Sequence, residues 1–186
     1  GGRPPRLACA RDFLQLLVGY GFSAEDAVLS LAMSFQMRRA FYFIEHTLPG
    51  RSASMRKLRE SLWNNVLSCD VRVYARRLWR KMEDFSTFVL GETGVGKGTA
   101  AAAIGRSCFI PFDEKREAFV ESFAQAFTTL NLSQFPATLL ESELFGHRKG
   151  AFTGAVEDHP GALGRTSPHG AIFLDEIGEV SVTTQV

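Results

Sequence analysis

Apolar residues recur at helical spacing through the first half of the chain and give way to short apolar runs in the second half. From Asp12 to Ile44 the pattern is helical, with Phe13, Leu16, Leu17 and Tyr20 on one face. A turn at Gly21 leads into Ser23-Ala24-Glu25-Asp26, which has the form of a capping box opening a second helix. That helix is apolar nearly all round (Ala27, Val28, Leu31, Ala32, Phe35), so covering is expected on most sides. Pro49-Gly50 is the first strong break. It sets the expected domain boundary, with a helical segment over 1–47 and a second unit over 48–186.

In the second unit Met55, Leu58, Leu62 and Val66 form another helical stripe. Asp70 is a candidate N-cap for a helix bearing Val71, Tyr74, Ala75, Leu78 and Met82 on one side. The other side carries Arg72, Arg76, Arg77, Arg80 and Lys81, read as a solvated surface facing the acidic half of the chain rather than as a phosphate-binding face. Ser86–Leu90 reads as a short buried strand, followed by a Gly-rich turn and an alanine-rich helix over Thr99–Ile104. Further strands are expected at Phe127–Asn131 and Ala171–Leu174, with a helix over Ala137–Phe145 ended by Gly146. Strands alternating with helices predict an α/β fold: a parallel sheet with helices on both faces, preceded by a helical segment.

Two stretches carry chemistry. Gly91-Glu92-Thr93-Gly94-Val95-Gly96-Lys97 fits the phosphate-binding pattern G-x-x-x-x-G-K between an apolar run and a helix. Glycines allow successive N–H groups to turn inward around phosphate oxygens, and Lys97 adds a mobile positive charge. Gly98 follows where a Ser or Thr usually supplies a hydroxyl to magnesium, and Thr99 lies one step further round the helix. Ala171-Ile172-Phe173-Leu174-Asp175-Glu176 is an apolar run ending in two acids. Beside a phosphate loop, Asp175 is placed to hold Mg²⁺ through water and Glu176 to polarise an attacking water. Asn131 either hydrogen-bonds Glu176 or is a plain turn asparagine.

Composition narrows the class. The 186 residues are 45% hydrophobic and 22% charged, which excludes a disordered chain. No apolar run has the length of a membrane span. The three cysteines (Cys9, Cys69, Cys108) form no C-x-x-C pair, which argues for a reducing cytosol and against a disulfide framework or zinc site. His46, His147, His159 and His169 lack metal-ligand spacing and read as loop or core residues. Residues 1–90 carry 14 Lys+Arg against 8 Asp+Glu, or +6, whereas residues 91–186 carry 7 against 12, or −5.

Glu141-Ser142-Glu143-Leu144-Phe145-Gly146-His147, followed by Gly150-Ala151-Phe152-Thr153-Gly154-Ala155, resembles the AAA+ domain of sigma-54-dependent transcriptional activators. The hexapeptide G-A-F-T-G-A is that family's hallmark. The likeness runs from about Leu48 to Val186, and includes Leu48–Met55 near the adenine and Ser167–Glu176 as the Walker B stretch. It implies a P-loop (AAA+) core in which residues 91–99 bind ATP and Lys97 holds phosphate. Asp175 would assist Mg²⁺ with Thr99 as a candidate ligand, Glu176 would activate water, and Asn131 would sense the γ-phosphate. Gly150, Ala151, Phe152, Thr153, Gly154 and Ala155 would contact sigma-54 and transmit ATP-driven movement; an aromatic and a threonine on a glycine-hinged tip suit an exposed contact loop.

The implied function is to couple ATP hydrolysis to remodelling of the sigma-54 RNA polymerase holoenzyme. The full-length protein is expected to be cytoplasmic and a homo-oligomeric ring, touching DNA only through a C-terminal domain and making no membrane contact. Residues 1–47 would then end an upstream regulatory region or linker. The family's sensor regions, arginine finger and lid are expected beyond Val186, so 1–186 alone should lack turnover. Val95 and Gly98 depart from the usual G-E-S/T-G-T-G-K-E, and Cys69–Asp84 and Ser107–Gln125 are longer than usual. The alternative expectation is a non-hydrolysing ATP-binding interaction module.

Overall fold

In a computed structural model, the structure describes residue 4, residues 6–82 and residues 85–180. Helices α1 (Ala10–Gly19) and α2 (Ala24–Phe41) open the chain, and α2 runs on into a π-helical turn, Tyr42–His46. Ser23 caps α2 as its sequence suggests: its Oγ accepts from the Asp26 amide at 3.1 Å and donates to Asp26 Oδ2 at 2.7 Å. Glu25 and Asp26 in the first turn, with Arg38 and Arg39 in the last, complement the helix dipole. The buried face of α1 differs from the expected one. Ala10 and Leu14 point inward, with Leu7, Phe13 and Leu17 beside them, while Leu16 and Tyr20 are exposed. Periodicity gives the spacing of the stripe, but which side turns inward depends on the partner helices, and here Ala10 and Leu14 are the buried pair.

Helix α3 (Ala53–Leu67) starts at Ser52, whose Oγ accepts from the Met55 amide, and buries Leu62, Val66 and Leu67. Asp70 caps the short α4 (Val71–Val73), which continues as a second π-helical turn, Tyr74–Leu78. Its basic side chains are exposed as expected, but among the described residues their ion pairs run to Asp70 and Glu25 in the first half of the chain and not to the acidic half. Glu25 lies on α2, which is packed close by, and proximity outranks the global charge split.

Helix α5 (Lys97–Gly105) leads to an antiparallel hairpin of β1 (Phe112–Asp113) and β2 (Ala118–Phe119). Then come β3 (Phe127–Asn131), α6 (Ala137–Phe145), α7 (Gly161–Arg165) and β4 (Ala171–Asp175). β3 and β4 pair in parallel, from Phe127 opposite Ala171 to Asn131 opposite Asp175. The expected strand at Ser86–Leu90 is not formed. Among the described residues no backbone hydrogen bond involves 86–90, and Phe88 and Leu90 are 74% and 89% exposed. Val89 alone leans on the core, and Thr87 Oγ1 accepts from Asn65 Nδ2. β-rich composition reports a preference, but a strand also needs a neighbour, and this segment has none among the described residues.

Alternation along the parallel pair sends its two faces to different helices. Leu130 and Leu174 pack with Leu140 and Leu144 of α6. On the opposite face lies α5. A methyl built on Gly98 would sit 3.9 Å from Cε1 of Phe173, and one on Gly105 would fall 2.2 Å from Cδ2 of Phe127 and 3.2 Å from Cβ of Ala171. Helix α5 therefore runs antiparallel to β4, with its first residues beside the strand's carboxyl half. The main core joins α1, α2, α3, Tyr74, Ala100, Ala103, Phe109 and Phe112, so residues before and after Leu48 share one apolar cluster. Among the described residues no helix is long and apolar enough to cross a membrane.

Candidate functional site

The glycine-rich turn lies at the N-terminus of α5, with Gly94 at φ +83° and Gly96 at φ +97°. Both conformations disfavour a side chain, and an added Cβ at either would meet nothing within 4 Å. The amides of residues 92–96 make no hydrogen bond with any described residue, so they and the helix N-terminus form an exposed set of donors. The Lys97 ammonium bends back onto its own loop and donates to the carbonyls of Gly91 at 3.0 Å and Glu92 at 2.9 Å. Such contacts keep the charge over the loop while leaving it exchangeable for a stronger acceptor. The loop thus fits an anion of phosphate type. For a divalent cation, the nearby oxygen donors are the exposed Thr99 in the first turn and the carboxylate of Asp175; Gly98 contributes none.

Asp175 ends β4 on the same face as Ala171 and Phe173, the face that α5 covers. The antiparallel run of α5 therefore brings the glycine-rich turn and the Asp175–Glu176 end to one edge of the sheet. Asp175 Oδ1 accepts from the Glu176 amide at 3.0 Å, which bends the chain sharply after the strand. Glu176 sits at φ +58°, ψ +36° with its side chain exposed. A non-glycine residue in this region stores strain, and such strain clusters at functional turns. Asn131 lies directly across from Asp175. Its Oδ1 accepts from the amide (3.0 Å) and hydroxyl (2.8 Å) of Ser133, so here it caps the 3₁₀ turn Leu132–Gln134 and makes no bond to Glu176.

Gly150–Ala155 forms a turn whose residues Gly150 to Gly154 are exposed, whereas Ala155, expected on the contact surface, is buried and anchors the turn. The Gly150 amide donates to Ala155 O at 2.8 Å, and Gly150 and Gly154 take φ +82° and +104°. Phe152 is 44% exposed and leans on the His147 ring, 4.8 Å between centroids; Thr153 is exposed. The base of the tip is built by His147 and His159, read from sequence as separate loop or core residues, and by their neighbours. His147 and His159 exchange two backbone hydrogen bonds of 2.8 Å and stack their rings at 5.5 Å. Ser142 Oγ and His147 Nδ1 share a 2.6 Å hydrogen bond, and Lys149 donates its amide to Asp158 Oδ1 at 2.7 Å. Beneath them, Gly146 and Gly161 touch backbone to backbone; a Cβ on either would come within 2.3 Å of main-chain atoms. Glycine at both ends of the hexapeptide's flanks was the visible signal; the pairing across it was not.

Comparisons with known proteins place the chain in a family. The chain is 46% identical over 103 residues to the hydrogenase transcriptional regulatory protein HoxA of Cupriavidus necator, covering 55% of this chain and 19% of that one. It is 36% identical over 142 residues to the transcriptional regulator VasH of Vibrio cholerae (76% and 22%), and 35% identical over 148 residues to the Nif-specific regulatory protein of Azotobacter vinelandii (77% and 22%). The chain spans about a fifth of the length of these curated relatives. A family model described as the sigma-54 interaction domain matches residues 69–186, a stretch that takes in the glycine-rich turn, the projecting tip and the acidic strand end, and the chain belongs to that family.

Proposed function

We propose that this chain supplies the ATP-binding and hydrolysing core of a sigma-54-dependent transcription activator, with the nucleotide unit beginning near residue 48. The observation that carries the reading is the run of α5 against β4, which gathers Lys97, Asp175 and Glu176 at one sheet edge. Residues 91–99 would take the triphosphate, the loop amides binding phosphate oxygens and Lys97 exchanging its carbonyl contacts for β- and γ-phosphate. Magnesium, when bound, neutralises charge on the β- and γ-oxygens. Asp175 and Thr99 would hold it, and Glu176 would orient and polarise the attacking water. Asn131, across from Asp175, would sense the γ-phosphate after giving up its bond to Ser133.

The tip Gly150–Ala155 would contact sigma-54 in the RNA polymerase holoenzyme and pass on the movement, while a full-length ring in the cytoplasm would complete each site from its neighbour. DNA contact would belong to a further C-terminal domain. Gly98, which offers no hydroxyl in the first turn of α5, favours a second reading: an interaction module that binds ATP without turnover. Glu176→Gln in the full-length protein separates the two. Under the first reading phosphate release falls sharply while ATP binding persists; a wild type that binds ATP but releases no phosphate assigns the second.

A further inference from the structure

A buried polar network ties the N-terminal helices to the far end of α5. Gln36, Tyr74 and Ser107 are 1%, 0% and 0% exposed. Gln36 Nε2 donates to the Tyr74 hydroxyl at 2.9 Å and to the Ser107 carbonyl at 3.0 Å, and the Tyr74 hydroxyl donates back to Gln36 Oε1 at 3.0 Å. One turn along α2, Arg39 Nη2 donates to the Cys108 carbonyl at 2.8 Å. These acceptors lie in the turn just past the end of α5 at Gly105, where intrahelical partners run out. The Ala102 carbonyl is taken by the Arg106 amide, Ala103 by Ser107 Oγ and Ile104 by the Ser107 amide. Ser107 O and Cys108 O accept from Gln36 and Arg39 of α2.

The Arg39 guanidinium is an unusual group to spend on packing. Among the described residues it has no carboxylate in ion-pair range, and its Nε has no partner. Burial draws its pKa down from the ordinary arginine value to about 10. Its charge is met by the Cys108 carbonyl, three residues past the end of α5. The grip is reinforced by rings: Arg39 lies over Phe119 at 6.0 Å, and Arg106 lies over Phe43 at 5.6 Å.

Helix α5 is a single stiff element whose first residue is Lys97 and whose last, Gly105, is wedged against Phe127 and Ala171. Any shift at Ser107–Cys108 is carried to the phosphate loop, because α5 has no internal break. We propose that Gln36 and Arg39 are positioning residues for the nucleotide site: by holding the carbonyl end of α5 from α2, they set the placement of the loop and Lys97 at its other end. The proposal rests on the loop being the ATP site. It makes the segment before residue 48 a lever on ATP affinity, since movement of α2 loosens both grips together.

The test uses the full-length protein, a fluorescent ATP analogue, and hydrogen exchange of the amides at residues 104–108. Arg39→Ala should weaken analogue binding about ten-fold, the loss expected for one charge-assisted hydrogen bond coupled to the site, and should raise exchange at 104–108. Arg39→Lys, which keeps a charged donor, should recover most of the affinity. Arg38→Ala, at the exposed neighbouring position, should match wild type. Should Arg39→Ala not fold, Arg39→Gln replaces it with the same expectation. A folded Arg39→Ala protein that melts earlier yet binds with wild-type affinity overturns the proposal and leaves a packing role. If wild type itself does not bind the analogue, the ATP-site reading fails and this inference falls with it.

Discussion

Gly146 and Gly150 have nearly the same φ, +83° and +82°, in very different surroundings. At Gly146, ψ is 178°, a conformation essentially confined to glycine, and a Cβ there would lie 2.2 Å from His159 O, 2.7 Å from Pro160 C and 2.8 Å from Gly161 N. All three are backbone atoms of a crossing strand of chain, so no rotamer change can relieve them. At Gly150 an added Cβ meets nothing within 4 Å. Alanine at either position costs about 1–3 kcal/mol in backbone strain. At Gly146 overpacking adds a further ~1–3 kcal/mol, and the rigidity of the neighbours puts it in the upper part of that range. With a urea slope of about 2 kcal/mol per M, an upper-range cost of about 2–3 kcal/mol means that the two alanine variants should differ in denaturation midpoint by roughly 1–1.5 M, Gly146→Ala being the less stable. Parallel urea titrations of the two proteins, followed by tryptophan fluorescence, measure this directly. Equal midpoints would refute the close crossing of Gly146 and Gly161. The same displacement would part His147 from His159, so Gly146→Ala should also lose transcription activation.

Other outcomes follow from the site. Lys97→Ala should abolish binding of a fluorescent ATP analogue, because no other lysine or arginine lies in residues 91–98; unchanged affinity would remove the phosphate-loop assignment. Thr153→Ala should leave phosphate release intact and stop open-complex formation at a sigma-54 promoter, since the tip is separated in sequence from the loop and the strand end; retained activation would show that the hydroxyl is dispensable. Glu176→Gly should relieve the left-handed backbone at φ +58° and raise stability by about 0.5–1 kcal/mol while phosphate release is lost. A less stable glycine variant would mean that the turn carries no strain.

Local signals were legible and distant pairings were not. Pro136 before Ala137 and Gly146 after Phe145 bound α6 at the residues the pattern predicts, and Ser23 and Asp70 cap their helices as expected. The strands at 127–131 and 171–175 also match within a residue, because short apolar runs between turn residues leave few alternatives. Ser86–Leu90 has the same local character and fails as a strand, since pairing depends on residues elsewhere. Gln36 reads as an ordinary polar residue on a helix; only the fold brings Tyr74 and Ser107 to it. His147 and His159 likewise look like unrelated loop histidines until Gly146 and Gly161 cross. Lys97, Asp175 and Glu176 were found by motif, but the edge they share follows from the direction of α5, which no motif encodes.

The two 2.8 Å hydrogen bonds between His147 and His159 have a consequence for how such a protein can diversify. They clamp the ends of the projecting segment at a fixed separation, so residues 148–158 can change in length or chemistry without altering where the chain leaves and re-enters the body. Variation within the tip is thereby kept from disturbing the backbone on either side of it, so one hairpin can be transplanted for another while its attachment to the body stays the same.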